Sequence, residues 1–410
     1  MISWIRDLRL QSAGRVSPGG VPSSRPRRCL FVITSMPVGG AETLLVNMMR
    51  QFDPTVVKAE IACLKEAGPL GEQIAGEFSV HANLIRGKFD LWVLYRLIRL
   101  IRDNDIDAVI TIGAGDKMFW GRVAAAWAGV PFIASALHST GWPDGVGRLN
   151  RLLTGITDAF IAVADSHGQF LREFEKFPAA KVRVIRNGVD CQRFRPNRLA
   201  KANLCRELQL PASVHLVGIV AALRPEKNHA MLVQASSRLR QSCPNARWIV
   251  VGDGPERDAL ERLADQLSVA DRIHFLGTRH DTAEILASLD LFTLCSLNEA
   301  SPVSILEALA CQVPVVATDV GSVGETVMAG KTGTLVASED VDGYVTAVKA
   351  LLDCPETRDR FGRAGRQLVL ETGSLSSMVA GYQRLITEGC AGTGGARAEL
   401  ALLRDVVTPE

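Results

Sequence analysis

Long apolar runs, cysteine pairs and an excess of either charge are missing from this chain of 410 residues, and each absence excludes a class of protein. No run reaches the roughly 18 apolar residues of a membrane-spanning helix. The nine cysteines include no C-x2-C pair, which disfavours a zinc site and indicates a reducing compartment. The 46 Lys and Arg residues nearly balance the 44 Asp and Glu residues, so no strong field attracts nucleic acid.

The first ten residues also lack the apolar core of a signal peptide, because Arg6, Asp7 and Arg9 fall among them. These absences together predict a cytoplasmic protein. Residues 11–28 are rich in Ser, Gly, Pro and Arg, a composition typical of disorder. We therefore predict a disordered leader over residues 1–28.

Short apolar runs alternate with helical stretches along most of the chain, which is typical of βαβ units. The length exceeds that of one typical core. A polar stretch with Pro196 and Pro211 divides the runs into two series. The sequence therefore predicts an α/β fold of two Rossmann-like, doubly wound domains that face each other across a cleft. The predicted strands are residues 29–34, 59–64, 108–112, 131–136, 159–164 and 182–185, then 214–220, 247–251, 272–276, 291–295, 313–317 and 333–336.

Two glutamates eight residues apart, Glu299 and Glu307, flank a predicted helix start. Ser301 is a good N-cap and Pro302 a good first helical residue. Eight residues correspond to roughly 12 Å along a helix axis. The helix N-terminus between the two acids offers free N–H groups to a pyrophosphate. Taken alone, the pair is a weak motif, and a capped helix with two exposed acids explains it as well.

The segment from Glu299 to Glu307 resembles the E-x7-E motif of the retaining glycosyltransferases of family 4, which have the GT-B fold. Similar motifs occur in the family's order from about residue 29 to about residue 386. They are Gly39-Gly40-Ala41-Glu42, Asn187-Gly188-Val189-Asp190, Arg224-Pro225-Glu226-Lys227 and Gly252-Asp253-Gly254-Pro255. Each motif is weak alone, but the ordered set is specific.

The resemblance implies how the domains divide the work. The first Rossmann-like domain would bind the acceptor, and the second would bind the nucleotide sugar. A final helix would return to the first domain. The predicted boundaries are 29–190 for the first domain, 191–212 for a linker, 213–373 for the second domain, 374–389 for the returning helix and 390–410 for a flexible tail.

The resemblance also implies catalytic roles for four residues. Glu299 would hold the sugar hydroxyls, and His138, at the end of a predicted strand, would orient the sugar at the reacting face. Lys227, with Arg224, would stabilise the departing diphosphate. A lone His is more often structural, and an exposed Arg and Lys can equally be a solvated pair.

One departure from the family concerns the phosphate-binding cations. The family usually has Gly-Arg-Leu followed by a Lys five residues after that Arg. Here Ala221 and Ala222 precede Leu223, so Lys227 matches while Ala222 occupies the position of the usual Arg. We therefore expect Arg224 to substitute from two residues further on.

The donor-binding residues are predicted at the glycine turns and at the helix that carries the E-x7-E motif. A plain strand–helix turn explains the first glycine pair equally well. The third glycine of a dinucleotide fingerprint is replaced by Arg257, which disfavours NAD. The predicted donor-binding residues are Gly40, Gly254, Gly277, Thr278, Val303, Ser304 and Glu307.

A predicted helix near residues 91–102 carries Arg96, Arg99 and Arg102 at a spacing of three, beside Trp92 and Tyr95. A packing helix with a solvated arginine stripe is the simpler interpretation. Peripheral contact with a membrane is the alternative, since many relatives use lipid-linked acceptors.

These observations predict a retaining glycosyltransferase that moves a sugar from a UDP- or GDP-sugar to a glycan, lipid-linked or small-molecule acceptor, in polysaccharide or glycoconjugate biosynthesis. No cofactor and no essential metal are expected, because cations and a helix end can carry the phosphate charge. The alternatives are a nucleotide-sugar epimerase of the same architecture and a non-catalytic protein that binds sugar nucleotides.

Overall fold

The structure is a computed structural model that describes residues 25–37, 39–87, 90–113, 118–138 and 148–405. These residues form two compact units. The first unit contains the chain up to Ile185 together with the residues from Met378 onward, and the second contains Arg186–Ser377. Most of the predicted disordered leader, residues 1–24, lies outside the described residues, and a strand already begins at Arg27.

The first unit is built around a parallel sheet of seven strands in the order β3-β2-β1-β4-β5-β6-β7. Its strands are β1 (Arg27–Ile33), β2 (Val57–Cys63), β3 (Val80–His81), β4 (Ala108–Ile112), β5 (Phe132–Leu137), β6 (Ala159–Ala162) and β7 (Val182–Val184). Its helices before the second unit are α1 (Gly40–Arg50), α2 (Gly68–Ile74), α3 (Trp92–Asp103), α4 (Phe119–Ala128), α5 (Arg148–Leu152) and α6 (Asp165–Glu173).

The second unit contains a parallel sheet of six strands in the order β10-β9-β8-β11-β12-β13. Its strands are β8 (His215–Val220), β9 (Ala246–Val251), β10 (Ile273–Gly277), β11 (Leu291–Leu294), β12 (Val315–Thr318) and β13 (Gly333–Val336). Its helices are α7 (Ala200–Glu207), α8 (His229–Arg238), α9 (Arg257–Gln266), α10 (Thr282–Ser288), α11 (Val303–Ala310), α12 (Val323–Thr326), α13 (Val341–Asp353) and α14 (Pro355–Thr372).

The central strands of both sheets are buried on both faces, which explains why these strands are continuous apolar runs. All five residues of β4 are buried, as are all four of β11. The prediction of two parallel-sheet, Rossmann-like domains is therefore confirmed. Within the ranges that the structure describes, the strand that it missed is β3, whose two residues are too few to produce a pattern.

The order of strands in the second sheet reverses between β8 and β11, which are direct neighbours. A parallel sheet has a crevice at such a switch point, outside the carboxyl ends of the strands. The loop after β8 and the loop after β11 therefore emerge side by side. These two loops contain Lys227 and Glu299.

Two segments differ from the predicted domain boundaries. The expected linker, 191–212, contains α7, whose Leu204 and Cys205 are buried in the core of the second unit. The last helix, α15 (Leu375–Asp405), continues well past residue 389 through most of the expected flexible tail. Polar and small residues misled the prediction in both places, because tertiary packing and helix continuation override local composition.

Helix α15 is anchored within the first unit from Met378 onward. Tyr382 and Ile386 are buried, and the Sγ atom of Cys390 donates a hydrogen bond to the Asp107 carbonyl at 3.5 Å. A Cβ atom on Gly389 would lie 2.3 Å from the Phe132 ring. The helix therefore packs directly against β5.

Candidate functional site

Lys227 and Glu299 form an ion pair where the loops after β8 and β11 emerge. The Lys227 Nζ atom lies 2.5 Å from Glu299 Oε1, and Ser296 Oγ donates a hydrogen bond to the same oxygen at 2.6 Å. The Glu299 side chain is 8% exposed and that of Lys227 is 23% exposed. The pair is thus largely desolvated while the ammonium group still reaches solvent.

The backbone around Glu299 is fixed by the turn that follows β12. Gly321 adopts a φ of 56°, and a Cβ atom there would lie 1.7 Å from the Glu299 carbonyl oxygen. The Ser322 N–H donates to that carbonyl at 3.4 Å, and Ser322 Oγ donates to the Ala300 carbonyl. Only glycine fits this close approach.

A short 3₁₀ turn, Pro225–Lys227, places the ammonium group. Asn228 ends this turn in the left-handed conformation, with a φ of 48°, and then starts α8. The Leu297 N–H donates to the Glu226 carbonyl at 2.8 Å. This bond joins the loop of Lys227 to the loop of Glu299 directly.

Helix α11 begins at Val303, one residue after the predicted start. The predicted N-cap, Ser301, is wrong, since Pro302 occupies that position without a side-chain cap. The Ser301 carbonyl instead accepts a hydrogen bond from Asn187 Nδ2 at 3.0 Å. Val303 and Ser304 belong to the first turn, whose N–H groups have no acceptor within a helix.

Glu307 lies in the second turn of α11 and is partly exposed. Within the described residues its carboxylate has no hydrogen-bond partner. Desolvation raises the pKa of Glu307 to about 7, against the opposing charge of Arg193. Such a desolvated, unpaired carboxyl group is available to form a hydrogen bond with a hydroxyl group of a ligand.

The other predicted donor-binding residues of this unit lie at the end of β10 and on the loops after β9 and β10. A Cβ atom on Gly252 would lie 2.0 Å from the Ala221 carbonyl oxygen, and one on Gly254 would lie 2.4 Å from that of Leu223. These glycines therefore allow the β9 loop to pack on the β8 loop, which is a structural reason for both. Gly277 has a φ of 65° and Thr278 is exposed.

Arg224 does not join the ion pair of Lys227. Its side chain is 61% exposed and its nearest carboxylate is that of Glu226, at 4.0 Å. Ala222 is also exposed. The structure thus brings one of the two predicted cations to Glu299 and leaves the other in solvent.

Gly40 and His138 belong to the first unit, at the carboxyl ends of β1 and β5. Gly40 is the first residue of α1, and a Cβ atom there would meet open space. His138 directly follows β5, and desolvation lowers its pKa to about 4. The imidazole is therefore neutral near pH 7 and can donate one hydrogen bond and accept another.

Among the described residues, no group of three or more His, Cys, Asp or Glu side chains could hold a metal ion. Asp-x-Asp spacings occur at Asp103–Asp105, at Asp105–Asp107 and at Asp340–Asp342. Asp103 pairs with Arg99, Asp107 accepts a hydrogen bond from the Arg28 N–H at 2.9 Å, and Asp340 caps α13. Each spacing therefore includes a carboxylate with a structural use.

Three residues of the site were missed from the sequence: Ser296, Gly321 and Arg193. Ser296 is a buried polar residue just after an apolar strand, and Gly321 forms the turn after β12. Arg193 follows the Asn-Gly-Val-Asp motif by three residues. Ser296 and Arg193 each lie beside a recognised motif, which is the signal that could have found them, and Gly321 ends the strand and turn in which the resemblance continues after Glu307.

Comparisons with known proteins agree with this arrangement. The model of the family described as "Glycosyltransferase Family 4" matches residues 38–193, and that of "Glycosyl transferases group 1" matches residues 201–368. A GDP-mannose-dependent alpha-(1-6)-phosphatidylinositol monomannoside mannosyltransferase of Mycolicibacterium smegmatis is 33% identical over 294 residues, or 68% of this chain and 76% of the relative. An N-acetyl-alpha-D-glucosaminyl L-malate synthase of Bacillus anthracis is 29% identical over 259 residues, or 62% of this chain and 67% of the relative.

Among solved structures, Anabaena Alr3699/HepE in complex with UDP and glucose aligns with a TM-score of 0.78. It is 20% identical, and the alignment covers 88% of this chain and all of that one. The fold and the paired motifs define a glycosyltransferase of GT-B type. The chain belongs to the family 4 glycosyltransferases.

Proposed function

We propose that this enzyme is a retaining glycosyltransferase that moves a sugar from a UDP- or GDP-sugar to a hydroxyl of a glycan, lipid-linked or small-molecule acceptor. The observation that carries the proposal is the desolvated pair of Lys227 and Glu299 beside the N-terminus of α11. A site for a sugar diphosphate requires a cation and a helix N-terminus near the phosphates and a carboxylate near the sugar hydroxyls. These three groups lie close together here.

The reaction breaks the bond between the anomeric carbon and the β-phosphate oxygen, and the electron pair leaves on that oxygen. The acceptor oxygen attacks from the same face, and its proton passes to the departing diphosphate. The Lys227 ammonium has three N–H donors, of which Glu299 occupies one. The other two stabilise the charge that develops on the phosphate.

The remaining roles follow from the chemistry of each side chain. Glu299 binds sugar hydroxyls with the carboxylate oxygen that does not contact Lys227. Glu307 bonds to the ribose hydroxyls. The neutral imidazole of His138 orients the sugar, and the first turn of α11, at Val303 and Ser304, binds the phosphates. Gly40, Gly254, Gly277 and Thr278 add contacts with the donor.

The reaction proceeds without an essential metal, because Lys227 and a helix N-terminus supply the positive charge. Turnover is expected to persist in EDTA. Activity that EDTA abolishes and that magnesium or manganese restores would contradict this part of the proposal.

The named activity of the M. smegmatis relative favours a GDP-sugar and a lipid-linked acceptor. The exposed face of α3 fits work at a membrane surface, since Trp92 is 70% exposed and Tyr95 is 56% exposed. Arg96 is not part of that face, because its Nε atom donates to the Leu84 carbonyl at 2.8 Å. We propose a cytoplasmic enzyme that contacts the inner face of the membrane through Trp92, Tyr95 and Arg102.

Sedimentation with anionic phospholipid vesicles tests the membrane contact. Replacing both Trp92 and Tyr95 with Ser is expected to leave the protein in the supernatant, whereas Phe174→Ser, at another exposed aromatic of the first unit, keeps it bound. No described helix is both long and apolar enough to cross a bilayer.

A panel of UDP- and GDP-sugars, each with and without candidate acceptors, tests the main proposal. We expect acceptor-dependent release of one nucleoside diphosphate and a product with the donor's anomeric configuration by nuclear magnetic resonance. An epimerised sugar formed without acceptor would favour an epimerase, and the absence of any nucleotide binding would favour a non-catalytic protein. An inverted product would contradict retention.

A further inference from the structure

The segment Asn187–Phe194 is attached to α11 at both ends of that helix. Asn187 Nδ2 donates to the Ser301 carbonyl, just before the helix begins. At the other end, Arg366 donates to the carbonyls of both Phe194 and Ala310, the last residue of the helix. The segment therefore runs alongside the helix that carries Glu307.

Arg193 projects from this segment toward the loop after β10. Its guanidinium donates to the His280 carbonyl at 3.2 Å, and its Cζ atom lies 5.2 Å from the centre of the Phe194 ring. Its backbone is fixed as well, since its N–H donates to Asp190 Oδ1 at 3.2 Å. The side chain is thus held in place although it is exposed.

The loop that Arg193 contacts is itself rigidly held. Arg279 pairs with Asp281 at 2.6 Å and with Glu207, at the end of α7, at 2.5 Å. Gly277, at the start of this loop, accepts a hydrogen bond from the Gly252 N–H at 2.9 Å. A ligand on this loop therefore meets a preformed surface.

Arg193 also acts electrostatically on Glu307, because desolvation raises the pKa of that acid and the positive charge of Arg193 opposes the rise. Arg193 is therefore close enough to influence Glu307, which the proposed function assigns to the ribose, and it contacts the loop after β10 directly. A guanidinium has five N–H donors, and the described residues supply an acceptor for only one of them. The other donors belong to an exposed side chain and are therefore available to a ligand.

We propose that Arg193 contacts the base of the donor nucleotide and selects guanine over uracil. The inference rests on the proposed function, in which Glu307 binds the ribose and Gly277 and Thr278, beside the segment that Arg193 contacts, bind the donor. It adds to that site a residue that determines specificity, and it identifies guanine as the base of the donor nucleotide.

The geometry of the two bases explains the preference. Guanine presents two adjacent acceptors, O6 and N7, that match two parallel N–H donors of a guanidinium. Uracil presents single carbonyl oxygens on either side of an N–H donor, so it accepts only one bond from the same group. The hydrogen bond to His280 and the Phe194 ring orient the guanidinium in advance, which limits the entropy lost on binding.

Calorimetric titration of the full chain with GDP and with UDP tests the proposal. We expect the wild type to bind GDP more tightly than UDP. Arg193→Ala is expected to weaken GDP binding by about tenfold or more and UDP binding by less than about threefold, since the bidentate contact is lost only for guanine. Arg193→Lys keeps the charge but not the paired donors, and it is expected to resemble Arg193→Ala.

Arg198→Ala is the matched control, because Arg198 is an exposed arginine of the same unit for which the described residues show no side-chain contact. It is expected to bind both nucleotides as the wild type does. Equal losses for GDP and UDP in Arg193→Ala, or a wild type that prefers UDP, would overturn the inference while the proposed function stands. A wild type that binds neither nucleotide would overturn both.

Discussion

Glu299 lies in the loop before α11 and Glu307 lies eight residues later within it, and their surroundings differ in kind. Glu299 is 8% exposed and has two partners, Lys227 and Ser296. The carboxylate of Glu307 has no hydrogen bond within the described part of the chain, and desolvation raises its pKa to about 7. The Glu299 carboxylate is paired within the protein, whereas the Glu307 carboxylate is available to a ligand.

The difference shows how stability and function divide between two residues of one motif. Removing either partner of a buried ion pair strongly destabilises the folded protein, because the other charge is left buried without a counterion. A desolvated carboxylate without a partner lowers the stability of the folded state instead. Such an acid is retained for binding rather than for folding, which is typical of functional sites.

Removing Lys227, the cation paired with Glu299, is expected to give the largest effect. Lys227→Ala should lower kcat by about 10²- to 10³-fold, as loss of a preorganised donor to developing charge does. Thermal unfolding should also shift downward, because Glu299 then loses its counterion. Steady-state kinetics with Lys331→Ala, at an exposed lysine of the same unit, provides the control. An unchanged kcat would remove Lys227 from the reaction.

Neutralising Glu307, the acid without a partner among the described residues, is expected to weaken binding of the donor nucleotide. Glu307→Gln should weaken binding of the donor nucleotide at pH 8 by about 1.5–3 kcal/mol, through loss of a charge-assisted hydrogen bond. The difference should shrink below about pH 7, where the wild-type carboxyl is itself protonated. Calorimetry at pH 6 and pH 8 measures this, with Glu284→Gln, an exposed acid on α10, as control. Equal dissociation constants at pH 8 would exclude Glu307 from the site.

The same substitution is expected to raise stability without ligand. The pKa of Glu307 is raised in the folded state from 4.5 to about 7, so its protonated form contributes stability below pH 4.5 that is lost as pH rises through 7. Glu307→Gln avoids that loss and should be more stable than the wild type at pH 8, by at most about 3 kcal/mol because the side chain is partly exposed. Denaturant unfolding at pH 5 and pH 8 would show it, and a variant less stable than the wild type at pH 8 would refute it.

Arg224 is expected to give the smallest effect. The substitution Arg224→Ala should change kcat by less than about threefold, because an exposed side chain with one distant ion pair contributes little. Steady-state kinetics beside Lys227→Ala decides this. A loss of 100-fold would show that Arg224 moves to the phosphate on donor binding and replaces the cation that Ala222 lacks.

The sequence predicted the strands well because a parallel sheet buried on both faces requires continuous apolar runs. The strands β4 and β13 have the predicted bounds, Ala108–Ile112 and Gly333–Val336. The helix α7 was missed because its polar sequence gives it little amphipathic signal, although Leu204 and Cys205 bury it. Packing decided the structure where the local pattern was weak.

The pairing within the site could not be read from the sequence in the same way. The contact between Lys227 and Glu299 joins residues 72 positions apart, and only the order of strands in the sheet brings their loops together. The role of Gly321 depends on a backbone approach so close that a Cβ atom would lie 1.7 Å from the Glu299 carbonyl oxygen, and no local pattern encodes that approach. The sequence also could not show that the Arg224 side chain is exposed, because the spacing of residues does not specify where a side chain points.

The first unit needs residues that the ribosome makes only after the whole second unit. Tyr382 and Ile386 fill its core, and Cys390 bonds to the Asp107 carbonyl. All three follow Arg186–Ser377 in the chain. During synthesis the half that holds Lys227 and Glu299 can therefore fold first, while the earlier half exposes apolar surface until α15 emerges. The nascent chain thus completes its two halves in the reverse of the order in which they begin.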